Sequence, residues 1–182
     1  TIRSRCRTLR LNPLAPQDLA HALAAIGLAT DAPEALAELA GGSVGHAVRL
    51  LAEGGLDLYA ELLALFAGLP RMDRPRAIKL AESCAGPKAA DRFALALDLL
   101  DLLLTRLARA GLQGPPPEAA KGESQVLARL SPHDQAARAW AERQAQASAR
   151  ARQGRAVNLD PAALLLDMLL QIEHTARTAA AA

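Results

Sequence analysis

The opening stretch Thr1-Ile2-Arg3-Ser4-Arg5-Cys6-Arg7 sets three arginines at alternate positions beside a serine and a cysteine. A guanidinium is permanently charged and presents a rigid fork of donors that fits phosphate and carboxylate oxygens. The residues alone leave two readings open: a solvated basic edge, or a group that meets an anion. Ser4 and Cys6 have no histidine or acid near them in sequence, so neither is set up as a nucleophile. His21, His46, His133 and His174 are scattered and read as surface or boundary residues. Cys6 and Cys84 stand apart without CxxC or Cys/His spacing, which argues against zinc and against a disulfide framework. Free thiols suit a reducing cytosol. No G-x-x-x-x-G-K-[ST] occurs, and Gly41-Gly42-Ser43-Val44-Gly45 lacks the lysine that reaches phosphates in such a loop. GxSxG, HExxH and paired acidic constellations are also missing, so no active site is complete within these residues.

The elements that position those groups follow from composition. Ala and Leu dominate the 182 residues and only 2% are aromatic. Ala and Leu favour helix, while the strand-favouring β-branched and aromatic residues are few, so the fold class is all-α. The shortage of aromatics argues against nucleobase stacking as a main activity. A net charge of +2 gives no strong field toward nucleic acid. The longest apolar run, Leu164-Leu165-Leu166, ends at Asp167, far short of the roughly 20 residues of a membrane span. A soluble, cytoplasmic protein with no membrane partner is expected.

Leu9 to Pro16 alternates weakly and reads as an extended connector closed by Pro13 and Pro16. Pro16 opens a first helix carrying Leu19, Leu23 and Ile26, and Gly27 ends it. Asp31 is the expected cap of a second, with Pro33 and Glu34 in its first turn and Leu36, Leu39 and Ala40 inward. Ser43 caps a third that carries Val44, Ala47, Val48 and Leu51, up to Gly54-Gly55. Longer helices follow: Leu56 to Leu69, Asp73 to Ala85, and Ala89 to Gly111, whose wide leucine face implies burial on more than one side. Gln113-Gly114-Pro115-Pro116-Pro117 breaks the pattern, and composition predicts mobility as far as Ser124. After a short helix, Gln125 to Leu130, Ser131-Pro132 predicts a cap and start for a helix to about Gln153, anchored by Trp140. Asn158-Leu159-Asp160-Pro161 starts the last helix, with Leu165, Met168, Leu169 and Ile172 inward; its Ala-rich end after Thr178 is expected to fray.

Two segments together resemble the clamp-loader branch of the AAA+ family. Thr1-Ile2-Arg3-Ser4-Arg5-Cys6 is similar to the Ser-Arg-Cys motif that closes the nucleotide-binding core there, and the Leu-Arg-Leu-x-Pro-Leu segment at Leu9–Leu14 resembles the usual exit from that core. Gly41-Gly42-Ser43-Val44-Gly45-His46-Ala47 resembles the sensor-2 segment on the third helix of the lid. The resemblance implies residues 1–8 as a core remnant, 9–54 as a three-helix lid, and 55–182 as the helical collar that joins subunits into a ring. The chain then reads as a fragment whose N-terminal part was removed. Asn158-Leu159-Asp160-Pro161 and the leucine-rich helix after it are similar to the end of that domain in bacterial subunits.

In this family Arg5 is implied as an arginine finger, acting in trans on the ATP of a neighbouring subunit, with Ser4 and Cys6 setting the local backbone. Motor subunits carry arginine at the sensor-2 position, where this sequence has Gly45; that departure resembles a non-motor subunit of the bacterial DNA polymerase III clamp loader. The implied partners are other loader subunits in a hetero-oligomeric ring, with the sliding clamp and primed DNA reached through the complex. No cofactor of its own is implied. The alternative is a stand-alone helical adaptor or DNA-binding module, with the opening basic residues or Arg138, Arg143, Arg150, Arg152 and Arg155 meeting an anionic partner. For those five arginines a solvated helix face is the plainer reading.

Overall fold

The computed structural model describes residues 5–7, 9, 11–86 and 89–179, and every regular element among them is a helix. Three short helices come first, α1 (Pro16–Ala24), α2 (Pro33–Ala40) and α3 (Val44–Ala52). Six follow: α4 (Gly55–Ala67), α5 (Arg74–Ser83), α6 (Ala90–Gln113), α7 (Glu123–Leu130), α8 (Asp134–Ala156) and α9 (Pro161–Ala179). Residues 180–182 of the Ala-rich end lie outside the described residues.

Local chemistry sets most of the helix starts. Prolines open α1, α2 and α9, where a missing N–H costs nothing. Ser43 and Asp73 cap α3 and α5 by accepting from the backbone N–H of His46 at 3.4 Å and of Arg76 at 3.1 Å. Asp160 accepts from the Ala163 N–H at 2.8 Å and starts α9. Two expected caps are replaced. Asp31 does not cap α2; Ala32 holds that position, and its N–H donates to Thr30 Oγ1 at 3.2 Å. Nor does Ser131 cap α8, because that helix starts only at Asp134. His133 takes the role, its Nδ1 accepting from the Ala136 N–H at 3.2 Å.

α1, α2 and α3 pack on one another as a group. α6 is the centre of the rest, with α4, α7 and α8 against it, while α9 packs on α5 and α8. The wide face read from the sequence is buried throughout: Leu95, Leu97, Leu99, Leu100, Leu103, Leu104 and Leu107 all lie in the core. Gly111 of α6 lies close against the entry to α8, where a Cβ would sit 2.5 Å from Ser131 Oγ, 2.8 Å from the His133 carbonyl oxygen and 2.9 Å from Ala137 Cβ. Trp140 is fully buried, donates from its indole N–H to the Leu130 carbonyl at 2.8 Å and tilts against Phe66. Ile26 departs from the apolar face read for the first helix, and Ile78 is also exposed. Ile26 falls after the last turn of α1, and Ile78 lies beside the Ala77, Leu80 and Ala81 stripe, so both face solvent.

The buried residues of the three short helices and of the longer ones run together as one core. Ion pairs also cross Gly54: Arg49 of α3 reaches Asp98 of α6 at 2.7 Å, and Glu38 of α2 reaches Arg106 of α6 at 3.1 Å. Arg106 is almost completely enclosed. Its Nε donates to Glu123 Oε1 at 2.6 Å, and its Nη2 donates to Glu123 Oε2 at 3.1 Å and to the Pro117 carbonyl. The Tyr59 hydroxyl donates to the same carboxylate at 2.5 Å, and the Ala119 N–H at 2.7 Å. Burial, then the adjacent Glu123 charge, pushes the Tyr59 phenol up. The proline-rich connection is thereby tied down where composition predicts mobility. Glu118 adds bonds from the N–H groups of Gly122 at 3.2 Å and Ser124 at 3.0 Å.

A second enclosed carboxylate, Glu173 of α9, holds the α4–α5 connection. It accepts from the Met72 N–H at 3.2 Å, from Arg74 at 2.9 Å and from Arg177 at 2.8 Å. Burial alone would raise this carboxyl. The Met72 N–H and the charges of Arg177 and Arg74 outweigh it and hold the group below its usual value. Arg129 of α7 closes the end of α4, donating to the carbonyls of Leu69 at 2.7 Å and Ala67 at 2.8 Å.

Arg106→Leu, which strands a buried carboxylate, lowers stability by about 3–5 kcal/mol. Arg49→Ala, at an exposed pair, costs no more than about 1 kcal/mol. Urea unfolding of both variants checks the contrast, and equal losses would refute it. Because the folded Glu173 carboxyl titrates below its unfolded value, its contribution is full at neutral pH and is lost as pH falls through the folded value. Glu173→Gln is therefore less stable than the parent at pH 7, and the gap narrows below about pH 4. A gap that stays constant from pH 7 to about pH 3 would contradict this.

Candidate functional site

Three of the sequence-derived site residues lie within the described residues, and all three are at the surface. Arg5 and Cys6 are exposed at the start of the chain, Cys6 as a free thiol. Ser4 lies outside the described residues. Gly45 is exposed in the first turn of α3. A Cβ there meets nothing within 4 Å, so packing does not demand glycine at this position.

The connector that follows Arg5 is fixed to the Gly41-Gly42 turn before α3. The Leu14 N–H donates to the Gly42 carbonyl at 3.1 Å. Gly42 has φ +68°, and a Cβ on it would lie 2.5 Å from the Leu14 nitrogen and 2.7 Å from Pro13 Cβ. Left-handed backbone and close approach coincide here, and only glycine satisfies both. The Leu9–Leu14 segment is thus joined to the Gly41–Ala47 segment through one backbone hydrogen bond. Upstream of that bond Leu9 and Leu11 are exposed.

His21, His133 and His174 are exposed and His46 is half-buried; His133 serves as a cap. Among the described residues no three His, Cys, Asp or Glu side chains gather as metal ligands. Cys84 is buried, and burial pushes its thiol up, away from the reactive thiolate.

The arginines of α8 are mostly engaged within the chain. Arg143 Nε donates to Thr175 Oγ1 at 2.7 Å, Arg150 pairs with Asp167 at 2.9 Å, and Arg138 pairs with Asp134 at 3.2 Å. Arg152 and Arg155 are exposed and open on a cavity of about 250 Å³ that also contains Asp98 and Asp101. Asp101 is itself satisfied by Gln144 at 2.8 Å and by the Ser148 hydroxyl. Facing acids make this a mixed surface, not a basic stripe.

Sequence reasoning missed the Arg106–Glu123–Tyr59–Glu38 cluster. A signal was present: Arg106 continues the Leu99, Leu103 register of the buried face of α6, where a charge needs a partner. Its partner, 17 residues on and past a proline-rich break, carries no mark in the pattern. With its donors and lone pairs occupied inside the chain, the cluster is built to hold structure.

The Gly42 geometry gives a direct test. Gly42→Ala lowers stability by about 1–3 kcal/mol through strain and contact. Gly45→Ala stays within about 1 kcal/mol of the parent. Thermal unfolding of the two variants distinguishes them, and similar melting temperatures would refute the close approach at Gly42. Compared with protein-family models, curated proteins and solved structures, the chain matches none.

Proposed function

We propose that this chain is the lid and collar part of a non-motor clamp-loader subunit resembling the bacterial delta-prime subunit. In this reading residues 9–54 are the lid and 55–182 the collar, and the chain works in a hetero-oligomeric ring that loads the sliding clamp on primed DNA. Arg5 reaches the ATP of a neighbouring subunit, and its guanidinium stabilises charge on the phosphoryl group in the transition state. The chain supplies no nucleotide site of its own and counts as part of a DNA polymerase holoenzyme in the cytoplasm.

The supporting observation is the hydrogen bond that ties the Leu9–Leu14 segment, downstream of the exposed Arg5, to Gly42 of the Gly41–Ala47 segment. A three-helix group followed by longer helices is the order the resemblance implies. Exposed Gly45, free of steric demand, is consistent with a subunit that does not sense nucleotide through this position.

The test is reconstitution with the neighbouring ATPase subunit. Arg5→Ala is expected to lower DNA-stimulated ATP hydrolysis by about 10³-fold or more, as for other arginine fingers, while assembly persists. Unchanged hydrolysis in a fully assembled complex would remove the finger role. Salt-sensitive DNA binding by the chain alone, abolished by Arg5→Ala and with no association with loader subunits, would favour the stand-alone module.

A further inference from the structure

The cations of α5 are placed differently from those of α8. Arg76, Lys79 and Ser83 recur at helical spacing on one face, beside the buried Ala77, Leu80 and Ala81 stripe. That face opens on a groove of about 330 Å³ between α4, α5 and α6, walled by Arg76, Lys79, Arg92, Ser83 and Glu61. Leu65 and Leu80 form its floor. Arg76 and Lys79 are exposed and join no ion pair among the described residues.

Arg92 is held in place. Its Nε donates to Ser83 Oγ at 3.2 Å, and the Ser83 hydroxyl donates onward to the Leu80 carbonyl at 2.7 Å. Among the described residues the groove wall holds one carboxylate, Glu61, 3.7 Å from Arg92 Nη2, too far for a strong charge-assisted bond. Three cations thus face one loosely engaged acid. A single carboxylate ligand would leave charge uncompensated and uses one fork in one plane. A phosphate group carries up to two charges, and its tetrahedral oxygens accept donors converging from several directions.

We propose that this groove binds phosphate groups, carried either on a nucleic-acid strand or on a free polyphosphate. Arg92 is the oriented fork, and Arg76 and Lys79 are the mobile cations that close on the ligand. With no aromatic side chain in the wall, recognition reads the phosphates and not the bases. This site is separate from Arg5 and stands whether or not the clamp-loader reading holds.

The test uses the full chain and two probes. One is a fluorescein-labelled oligothymidylate followed by anisotropy across salt concentrations; the other is tripolyphosphate followed by calorimetry. Oligothymidylate is expected to bind with Kd on the order of 10⁻⁴–10⁻⁶ M at physiological salt. Arg76→Gln and Lys79→Gln each lower the log–log salt slope by about 0.7, and the double variant weakens binding more than about tenfold. Lys79→Arg restores binding, and Arg152→Gln on α8 leaves it unchanged. Tripolyphosphate binding lost in the same double variant, without oligothymidylate binding, assigns the groove to free polyphosphate. The proposal is overturned if neither probe binds. It also fails if the double variant, folded by circular dichroism, binds like the parent, or if only Arg5→Ala abolishes binding.

Discussion

The ion pair between Arg106 and Glu123 is the constraint on which the rest of the fold depends. Two opposite charges are taken out of water, and such a pair survives only when the remaining donors and lone pairs also find partners. Here the partners come from four directions. Glu38 arrives from α2, Tyr59 from α4, the Pro117 carbonyl from the proline-rich connection, and the Ala119 N–H from the turn before α7. Satisfying one charge therefore fixes the places of elements far apart in sequence. The change in helix length near Gly54 does not interrupt this arrangement, because both the polar cluster and the apolar core cross it.

Much of the helical order was legible because it is written locally. Ser43, Asp73, Asp160 and the opening prolines act within one turn of where they stand, and the leucines of α6 declare their own burial by spacing. Asp31 and Ser131 misled for the same reason. A cap-forming residue needs the helix to start beside it, and in both places the helix starts further on. The proline-rich connection misled more deeply. Its composition lacks apolar anchors, yet backbone groups at Pro117 and Ala119 are bound by a guanidinium and a carboxylate whose positions only the fold determines. On the candidate site, the sequence carried residue types at Arg5 and Gly45 but not the bond between Leu14 and Gly42 that relates them.

Counting cations along one helix also proved a poor guide to where positive charge is available. α8 holds five of the arginines singled out from the sequence, but Thr175 and Asp167 of α9 and Asp134 of its own first turn engage three of them. α5 is shorter and its cations were not singled out from the sequence, yet two of them are left facing a shared groove. The difference lies in the opposing helices. α9 offers hydroxyl and carboxylate partners to α8, whereas the wall opposite α5 contributes a single acid.

The hydrogen bond from Leu14 to Gly42 also sets a radius. Arg5 stands nine residues ahead of Leu14, and nine residues of chain cover at most about 30 Å when fully drawn out. The guanidinium is therefore a tethered group with a bounded reach, and any anion it meets must come within that distance, plus the length of one side chain, of the α2–α3 turn. Lengthening or shortening the tether would change its effective concentration at a partner's surface without altering a single contact in the helical body.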